Sequence, residues 1–278
     1  MLFLKSTNKG LESIITTFYK SKSFYGKKKI TKITLFPMIH FGDSSFYEKV
    51  TKKAMKLDAV LYENFDSENS NENFFMSTIS GKKSNKYDFS LPELCVYVMD
   101  IYYSTFSRVF GLTEQTIEQI NYSEIKNFYN ADLCSSNQKI DKKYSVNGKI
   151  YDGRKIFYDF MGTVLNRVAF LNYLDLIYNN YSEPLRDIYN KTINELVKNS
   201  NSEIFSFSKA RENHVLSLLN KLIKENRNIG IIYGAEHMNS FYNYLRSKNY
   251  KVLNKTPIIV LPKVPPIAKH KFRNINKS

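Results

Sequence analysis

The sequence predicts an α/β protein with a central mixed β-sheet, flanking helices and a large helical insertion. Apolar strand-like segments lie near both ends of the chain, whereas helical apolar spacing fills the middle, from about residue 91 to residue 226. No linker-like stretch divides the 278 residues into two compact halves. We therefore expect one α/β domain over residues 30–262 with its insertion at about 91–226.

The first part of this domain is predicted to be a strand–helix–strand unit. Residues 30–40 (ITKITLFPMIH) and 58–62 (DAVLY) are strand-like. Between them, residues 44–57 are predicted to be helical, and either Ser44 or Ser45 is a candidate N-cap. The helix prediction depends on apolar residues that share one face, namely Phe46, Val50, Ala54 and Leu57.

The middle and the end of the chain are predicted from the same periodicities. Helices are expected at 91–110, 113–128, 154–181, 182–199, 208–226 and 240–249. Residues 154–181 are expected to be well buried, and residues 138–153 to form a loop or small hairpin. Strands are expected at 228–233, 250–253 and 257–261. The aromatic residues of 91–110 recur at helical spacing, which is more typical of a packed core than of a cofactor pocket.

The remaining segments are interpreted as peripheral. Residues 1–29 are expected to be a lead-in segment, with a short helix and a loop, and residues 66–87 an exposed excursion. Residues 263–278 are expected to be a basic tail. A membrane-surface contact by the basic N-terminal segment is the alternative for 11–32. No signal peptide or spanning helix is evident, which predicts a cytoplasmic protein.

The charge and cysteine content limit the possible partners and site types. The net charge is +15, from 41 Lys+Arg against 26 Asp+Glu, which is compatible with an acidic partner. AT-rich codons would also produce this lysine-rich composition, and no nucleic-acid-reading motif is present, so a nucleic-acid role is not favoured. Two cysteines, Cys95 and Cys134, exclude a disulfide framework and a four-cysteine zinc site.

Three candidate site residues follow predicted strands, namely His40, Glu63 and His237. Ligands of open α/β sheets bind beyond the carboxyl ends of the strands, so these side chains are expected to converge. Gly234 precedes His237 and is expected at a sharp backbone turn. Two imidazoles and a carboxylate can hold a divalent metal, or can act as acid, base and orienting group without one. The alternative is that each histidine is a packed residue and the glutamate a solvated one.

Two motifs resemble the signatures of the TraB/Tiki superfamily. PMIHFGDSSFYEKV, followed by DAVLYE, resembles the first signature, a G-x-x-H before a helix and then a strand that ends in Glu. YGAEHMNSFYNYL resembles the second, and Lys209 to Asn213 (KAREN) resembles the segment with the conserved Arg. Residues 130–134 (NADLC) are similar to a further family segment. Pro37 stands where the first motif usually has glycine, and Asn64 where a small residue is expected.

The resemblance implies a fold related to erythromycin-esterase-like and ChaN-like proteins. It also implies a catalytic site of His40, Glu63, Arg211 and His237. Within that site His40, Glu63 and His237 would bind a divalent ion (Mn, Co or Zn). Glu63 is a ligand or the general base in this reading, and Arg211 binds a substrate carboxylate or an oxyanion.

The function expected from these residues is metal-dependent hydrolysis of a peptide or small molecule. Arg211 has a purely structural alternative, which is to pair with Glu212 or a helix end. Two other functions stay open for the whole chain. One is a non-catalytic peptide-binding or regulatory protein of the same family, and the other is a basic binder of nucleic acid or membrane surfaces.

Overall fold

The computed structural model describes residues 2–24, 27–63, 91–115, 122, 125–131, 143–146, 149–177, 182–200 and 206–266. Along the chain, the strands are β1 (Leu4–Thr7), β2 (Gly10–Phe24), β3 (Lys27–Met38), β4 (Phe41–Gly42), β5 (Ala59–Tyr62), β6 (Thr113–Glu114), β7 (Phe128–Asn130), β8 (Lys143–Val146), β9 (Lys149–Asp152), β10 (Asn228–Gly234) and β11 (Lys251–Pro262). The helices are α1 (Ser44–Ala54), α2 (Leu91–Phe110), α3 (Gly153–Ile177), α4 (Glu183–Asn199), α5 (Ser206–Leu222) and α6 (Met238–Ser247). A single 3₁₀ turn, Ala235–His237, leads into α6.

Seven of these strands form one mixed sheet in the order β1-β2-β3-β10-β5-β7, with β11 also paired to β2. Strands β3, β10, β5 and β7 run parallel to one another. Strand β2 is antiparallel to β1, β3 and β11. Strands β4 and β6 form a separate pair, and β8 and β9 form a hairpin. The predicted α/β class with a mixed sheet and flanking helices is confirmed.

Helices cover both faces of the sheet, so the core has two parts. Phe36 and Met38 of β3 pack on the face covered by α1, α2, α3 and α4. Ile33 and Leu35 of the same strand pack on the other face, against α5 and α6. This alternation is the period of two that a strand buried on both faces requires. None of the described helices combines the length and the apolar character needed to cross a bilayer.

The predicted strand–helix–strand unit is confirmed as β3, α1 and β5, and the buried face of α1 includes Phe46, Val50 and Ala54 as expected. The predicted N-cap, Ser44 or Ser45, is wrong. Asp43 caps the helix instead, because its carboxylate accepts a 3.0 Å hydrogen bond from the Ser45 N–H.

The prediction of a lead-in helix and loop in residues 1–29 is wrong. Residues 4–7 and 10–24 form β1 and β2, and β2 is paired on both of its edges. Leu11 and Ile15 face one part of the core and Phe18 faces the other, so their spacing fits a strand of period two. The pattern was mistaken for a helix because buried polar residues, such as Ser13 and Thr16, interrupt the apolar alternation.

The middle of the chain departs from prediction at two places. No α-helix occupies the described parts of 113–128, which instead contribute β6 and the first residue of the edge strand β7. Helix α3 is present, but it is not well buried, since Leu176 is 84% exposed. It is apolar around its circumference, and only one side can pack against α2 and its neighbours.

Other predictions in this region hold. The helices at 91–110, 182–199 and 208–226 correspond to α2, α4 and α5, and the hairpin within 138–153 corresponds to β8 and β9. The two strands predicted between 250 and 261 are one continuous strand, β11. The predicted excursion at 66–87 and most of the tail, residues 267–278, lie outside the described residues.

Candidate active site

The candidate site lies at the carboxyl edge of three neighbouring parallel strands. Strand β10 lies between β3 and β5, and its register pairs Gly234 with Met38. His40 follows β3, Glu63 follows β5 and His237 follows β10. The strand ends therefore place these three residues at one edge of the sheet, as the sequence predicts.

Glu63 is held on both of its carboxylate oxygens. Its backbone N–H donates to Ile232 O over 2.9 Å, which extends the β5–β10 pairing by one residue. Its Oε1 accepts a 2.5 Å hydrogen bond from the Arg211 guanidinium, and its Oε2 accepts one of 2.5 Å from the Gly234 N–H. The Glu63 and Arg211 side chains are each 12% exposed, so this is a largely buried ion pair.

The environment of Glu63 keeps it ionised. Burial raises the pKa of Glu63, but the charges of Arg211, His237 and His40 and the Gly234 N–H outweigh burial and hold it below its ordinary value. Arg211 also lies over the face of Tyr233, 5.4 Å from the ring centroid. The structural alternative for Arg211 named Glu212 as its partner, whereas the structure pairs Arg211 with Glu63.

Gly234 is required for close approach and not for a special backbone angle. The chain turns here as predicted, from β10 into the 3₁₀ turn Ala235–His237, but the φ of Gly234 is −49°, which any residue can adopt. A Cβ at this position would lie 3.2 Å from Glu63 Oε2 and 3.4 Å from His237 Cδ2. The missing side chain lets the Glu63 carboxylate reach the backbone N–H.

His237 is almost completely buried, at 2% exposure, and is oriented by a carboxylate. Its Nδ1 lies 3.1 Å from Glu212 Oε1. Its Nε2 is buried and has no hydrogen-bond partner among the described residues. This atom lies 4.0 Å from Glu63 Oε1 and 3.8 Å from Glu236 Oε1. Both distances are too long for a direct hydrogen bond and are compatible with a bridging water or substrate atom.

The carboxylates around His237 favour its protonated form. Burial lowers the pKa of His237, but the hydrogen bond to Glu212 and the charges of Glu63 and Glu236 outweigh burial and the opposing charge of Arg211. The pKa of His237 is therefore raised above its ordinary value. A histidine that has one ring nitrogen hydrogen-bonded to a carboxylate, and the other nitrogen available to a substrate, is arranged as a general acid or base.

His40 lies in the same region but makes a different contact. Its ring stacks on Tyr103 of α2, with ring centroids 4.7 Å apart and an interplanar angle of 17°. Among the described residues it makes no side-chain hydrogen bond with Glu63 or His237. Its effect on the site is electrostatic, since its charge is one of the causes that lower the pKa of Glu63.

Sequence reasoning missed four residues of this region. Glu212 adjoins Arg211 and Glu236 adjoins His237, so closer attention to the predicted site residues' neighbours would have found both. Asp100 and Tyr103 lie one turn apart on α2, which the aromatic pattern assigned to the core. Burial and the charges of Glu236, Asp100 and Glu63 raise the pKa of Tyr103 well above its ordinary value.

Asp100 brings a further unusual carboxyl group to the region. Desolvation raises the pKa of Asp100 to about 6, although the charge of His40 opposes it. The charge of Glu114 also raises the pKa of Asp100, and the residue itself is exposed to solvent. The raised pKa makes Asp100 a group that can be protonated or ionised near neutral pH.

The arrangement does not fit the metal centre that the family resemblance implies. Both Glu63 oxygens are engaged, one of them by the cationic Arg211, and His237 Nδ1 faces Glu212. Among the described residues, no group of three or more His, Cys, Asp or Glu side chains is placed to hold a metal ion. We therefore derive the chemistry of this site from its own side chains.

The two remaining histidines, and parts of the motif segments, lie away from this region or outside the described residues. His214 is on α5 and, among the described residues, forms no hydrogen bond or ion pair with the site residues, and His270 lies outside the described residues. Of the segment 130–134, only residues 130 and 131 are described. Asn64 also lies outside the described residues.

Comparisons with protein-family models, with curated proteins and with solved structures found no match. The likeness to the TraB/Tiki superfamily therefore stays a prediction from the two histidine motifs and the KAREN segment.

Proposed function

We propose that the chain is a hydrolase that cleaves a peptide or another carboxylic acid derivative, with His237 as its general base. The observation that carries the proposal is the state of the His237 ring, whose Nδ1 is held by Glu212 while its buried Nε2 has no partner. An unpaired polar atom at this depth costs free energy unless a water or substrate atom completes it. The family resemblance, with its erythromycin-esterase-like and ChaN-like fold, supports the same reaction class.

In the proposed reaction, the neutral form of His237 takes a proton at Nε2 from the attacking water. Glu212 then stabilises the positive charge on the imidazole, because it already accepts the hydrogen bond from Nδ1. Glu63 contributes a second negative charge 4.0 Å from Nε2 and is kept ionised by Arg211. His237 then returns the proton to the leaving group. Glu236 is 54% exposed, so its movement would admit substrate towards Nε2.

The test is hydrolysis measured directly. A mixture of synthetic peptides, and p-nitrophenyl acetate as a simple ester, would be incubated with the protein in ¹⁸O-labelled water. Mass spectrometry then detects the label in new carboxyl groups. We expect His237→Asn to lower the rate by about 100-fold or more, the usual contribution of a general base. Glu212→Gln should lower the rate and move the pH profile to lower pH, since the carboxylate raises the pKa of His237.

The matched control is His214→Asn, which removes a histidine from the helix that carries Glu212. It should leave the rate unchanged. Full activity in His237→Asn would refute the proposal. Peptide binding by the wild type without label incorporation would favour the non-catalytic alternative. Dialysis against EDTA should not reduce activity. A loss of activity that added Mn²⁺ or Zn²⁺ reverses would instead support the metal-dependent mechanism.

A further inference from the structure

A cavity lies at the opposite edge of the sheet from the candidate active site. It has a volume of about 430 Å³, and four lysines from four separate parts of the chain line it. Lys20 is on β2, Lys29 is near the start of β3, Lys224 follows α5 and Lys248 follows α6. We call this feature the lysine cavity.

The charge of the lysine cavity is not balanced by the protein. Its lining contains no Asp or Glu. In the described part of the chain, none of the four lysines forms an ion pair with a carboxylate. Like charges gathered in a concave surface repel one another and focus a positive potential that attracts anions. The free energy of this arrangement therefore improves when an anion enters.

Two of the ammonium groups are positioned by the backbone. Lys20 Nζ donates to Lys248 O over 2.6 Å, and Lys29 Nζ donates to Lys224 O over 3.4 Å. These carbonyls lie just after α6 and α5, where a cation is favoured by the helix dipole. An ammonium has three N–H donors, so each of these lysines keeps two for a ligand.

Tyrosine rings position two of the ammonium groups as well. Lys20 Nζ lies 5.6 Å from the ring centroid of Tyr250, and Lys248 Nζ lies 5.6 Å from that of Tyr244. Such cation–π contacts restrict the long side chains before any ligand binds. The helix ends and the rings therefore position the ammonium groups of Lys20, Lys29 and Lys248, but they supply no carboxylate to balance the four positive charges.

We propose that the lysine cavity binds a compact polyanion, a small molecule that carries two or three linked phosphates. The volume falls within the range of small-molecule sites. The lining has lysines and no arginine, so it offers ammonium point charges. It lacks the planar guanidinium groups that form paired hydrogen bonds with nucleic-acid bases and phosphates. Four charges gathered around one concave surface suit a short, highly charged group better than an extended nucleic-acid strand.

The test is titration calorimetry of the full chain with inorganic tripolyphosphate at low salt. The variant is Lys29→Met/Lys224→Met, because methionine keeps the apolar stem and removes the charge. We expect it to bind at least about tenfold more weakly, since two charge-assisted contacts are lost. The matched control is Lys49→Met/Lys52→Met, which removes the same charge from α1 on the other face of the sheet. It should bind within about twofold of the wild type.

Three results would overturn the proposal. In the first, the wild type fails to bind tripolyphosphate. In the second, both double variants lose affinity equally, which would indicate that the net charge of the protein alone determines binding. In the third, a 20-nucleotide RNA would bind and tripolyphosphate would not displace it, which favours a nucleic-acid surface. Circular dichroism of both variants excludes unfolding as the cause of any loss.

Discussion

The buried ion pair between Arg211 and Glu63 allows a quantitative prediction for Arg211→Met. The substitution leaves Glu63 12% exposed and without its cationic partner. Removing one member of a buried ion pair costs about 3–5 kcal/mol, because the remaining charge stays desolvated. The residual exposure of both side chains places our expectation near the lower end, at about 3 kcal/mol.

The matched control is Arg108→Met. Arg108 also forms a 2.5 Å ion pair, with Asp175, but these two side chains are 56% and 37% exposed. Exposed pairs contribute about 1 kcal/mol or less, because solvent screens them. The two variants therefore remove the same type of residue from pairs that differ in burial.

The assay is urea unfolding followed by circular dichroism at pH 7. Arg211→Met should lose about 3 kcal/mol of unfolding free energy, and Arg108→Met about 1 kcal/mol or less. The double variant Glu63→Gln/Arg211→Met should be more stable than Arg211→Met, since no unpaired carboxylate remains. An Arg211→Met cost no larger than that of Arg108→Met would refute the argument from burial.

The remaining predictions concern pH, the glycine contact and the core. Because the pKa of Glu63 is lowered in the folded state, ionised Glu63 contributes to the free energy of unfolding at pH values above its ordinary pKa of 4.5. This contribution is lost as the pH falls through the pKa of the folded state. Because the pKa of His237 is raised in the folded state, protonated His237 contributes to the free energy of unfolding at pH values below its ordinary pKa of 6.5. This contribution is lost as the pH rises through the pKa of the folded state. Urea stability should therefore peak between these values, and Glu63→Gln should flatten the acid side; an unchanged acid slope would contradict this. Gly234→Ala should push the Glu63 carboxylate away and cost about 1 kcal/mol in thermal unfolding, and an unchanged Tm would show that the contact relaxes freely. Phe106→Ala should cost about 3–5 kcal/mol in urea because the ring is fully buried, and a cost below 1 kcal/mol would mean that the core closes around the gap.

The parts of the fold that could be predicted are those with clear local patterns. The strand before His40, the helix after it and the strand before Glu63 show apolar periodicity that matches their final state. Strand β2 could not be recognised in the same way, because one of its edges pairs with β11, which is more than 200 residues away in sequence. It is stabilised by β3 on one edge and by β11 on the other, and its buried Ser13 and Thr16 resemble loop residues in sequence.

The candidate site, too, has a part that could be predicted from the sequence and a part that could not. The ends of the strands can be predicted from the sequence, and Glu63 and His237 are predicted because each follows such an end. The partners of these two residues depend on how α5 is rotated over the sheet, which brings Arg211 to Glu63 and Glu212 to His237. No local pattern specifies that rotation. For the same reason the sequence could not show that His40 stacks on Tyr103.

The position of β10 in the sheet has a consequence for how the chain folds. Strands β3 and β5 are close in sequence, yet they do not pair with each other, because β10 lies between them. Residues 63–227 must be synthesised before β10 follows, and until then β3 and β5 expose unpaired backbone edges and apolar faces. Pairings between residues so distant slow folding and lengthen the exposure of aggregation-prone edges. The strand that carries His237 to the site is thus also the one whose arrival joins β3 to β5.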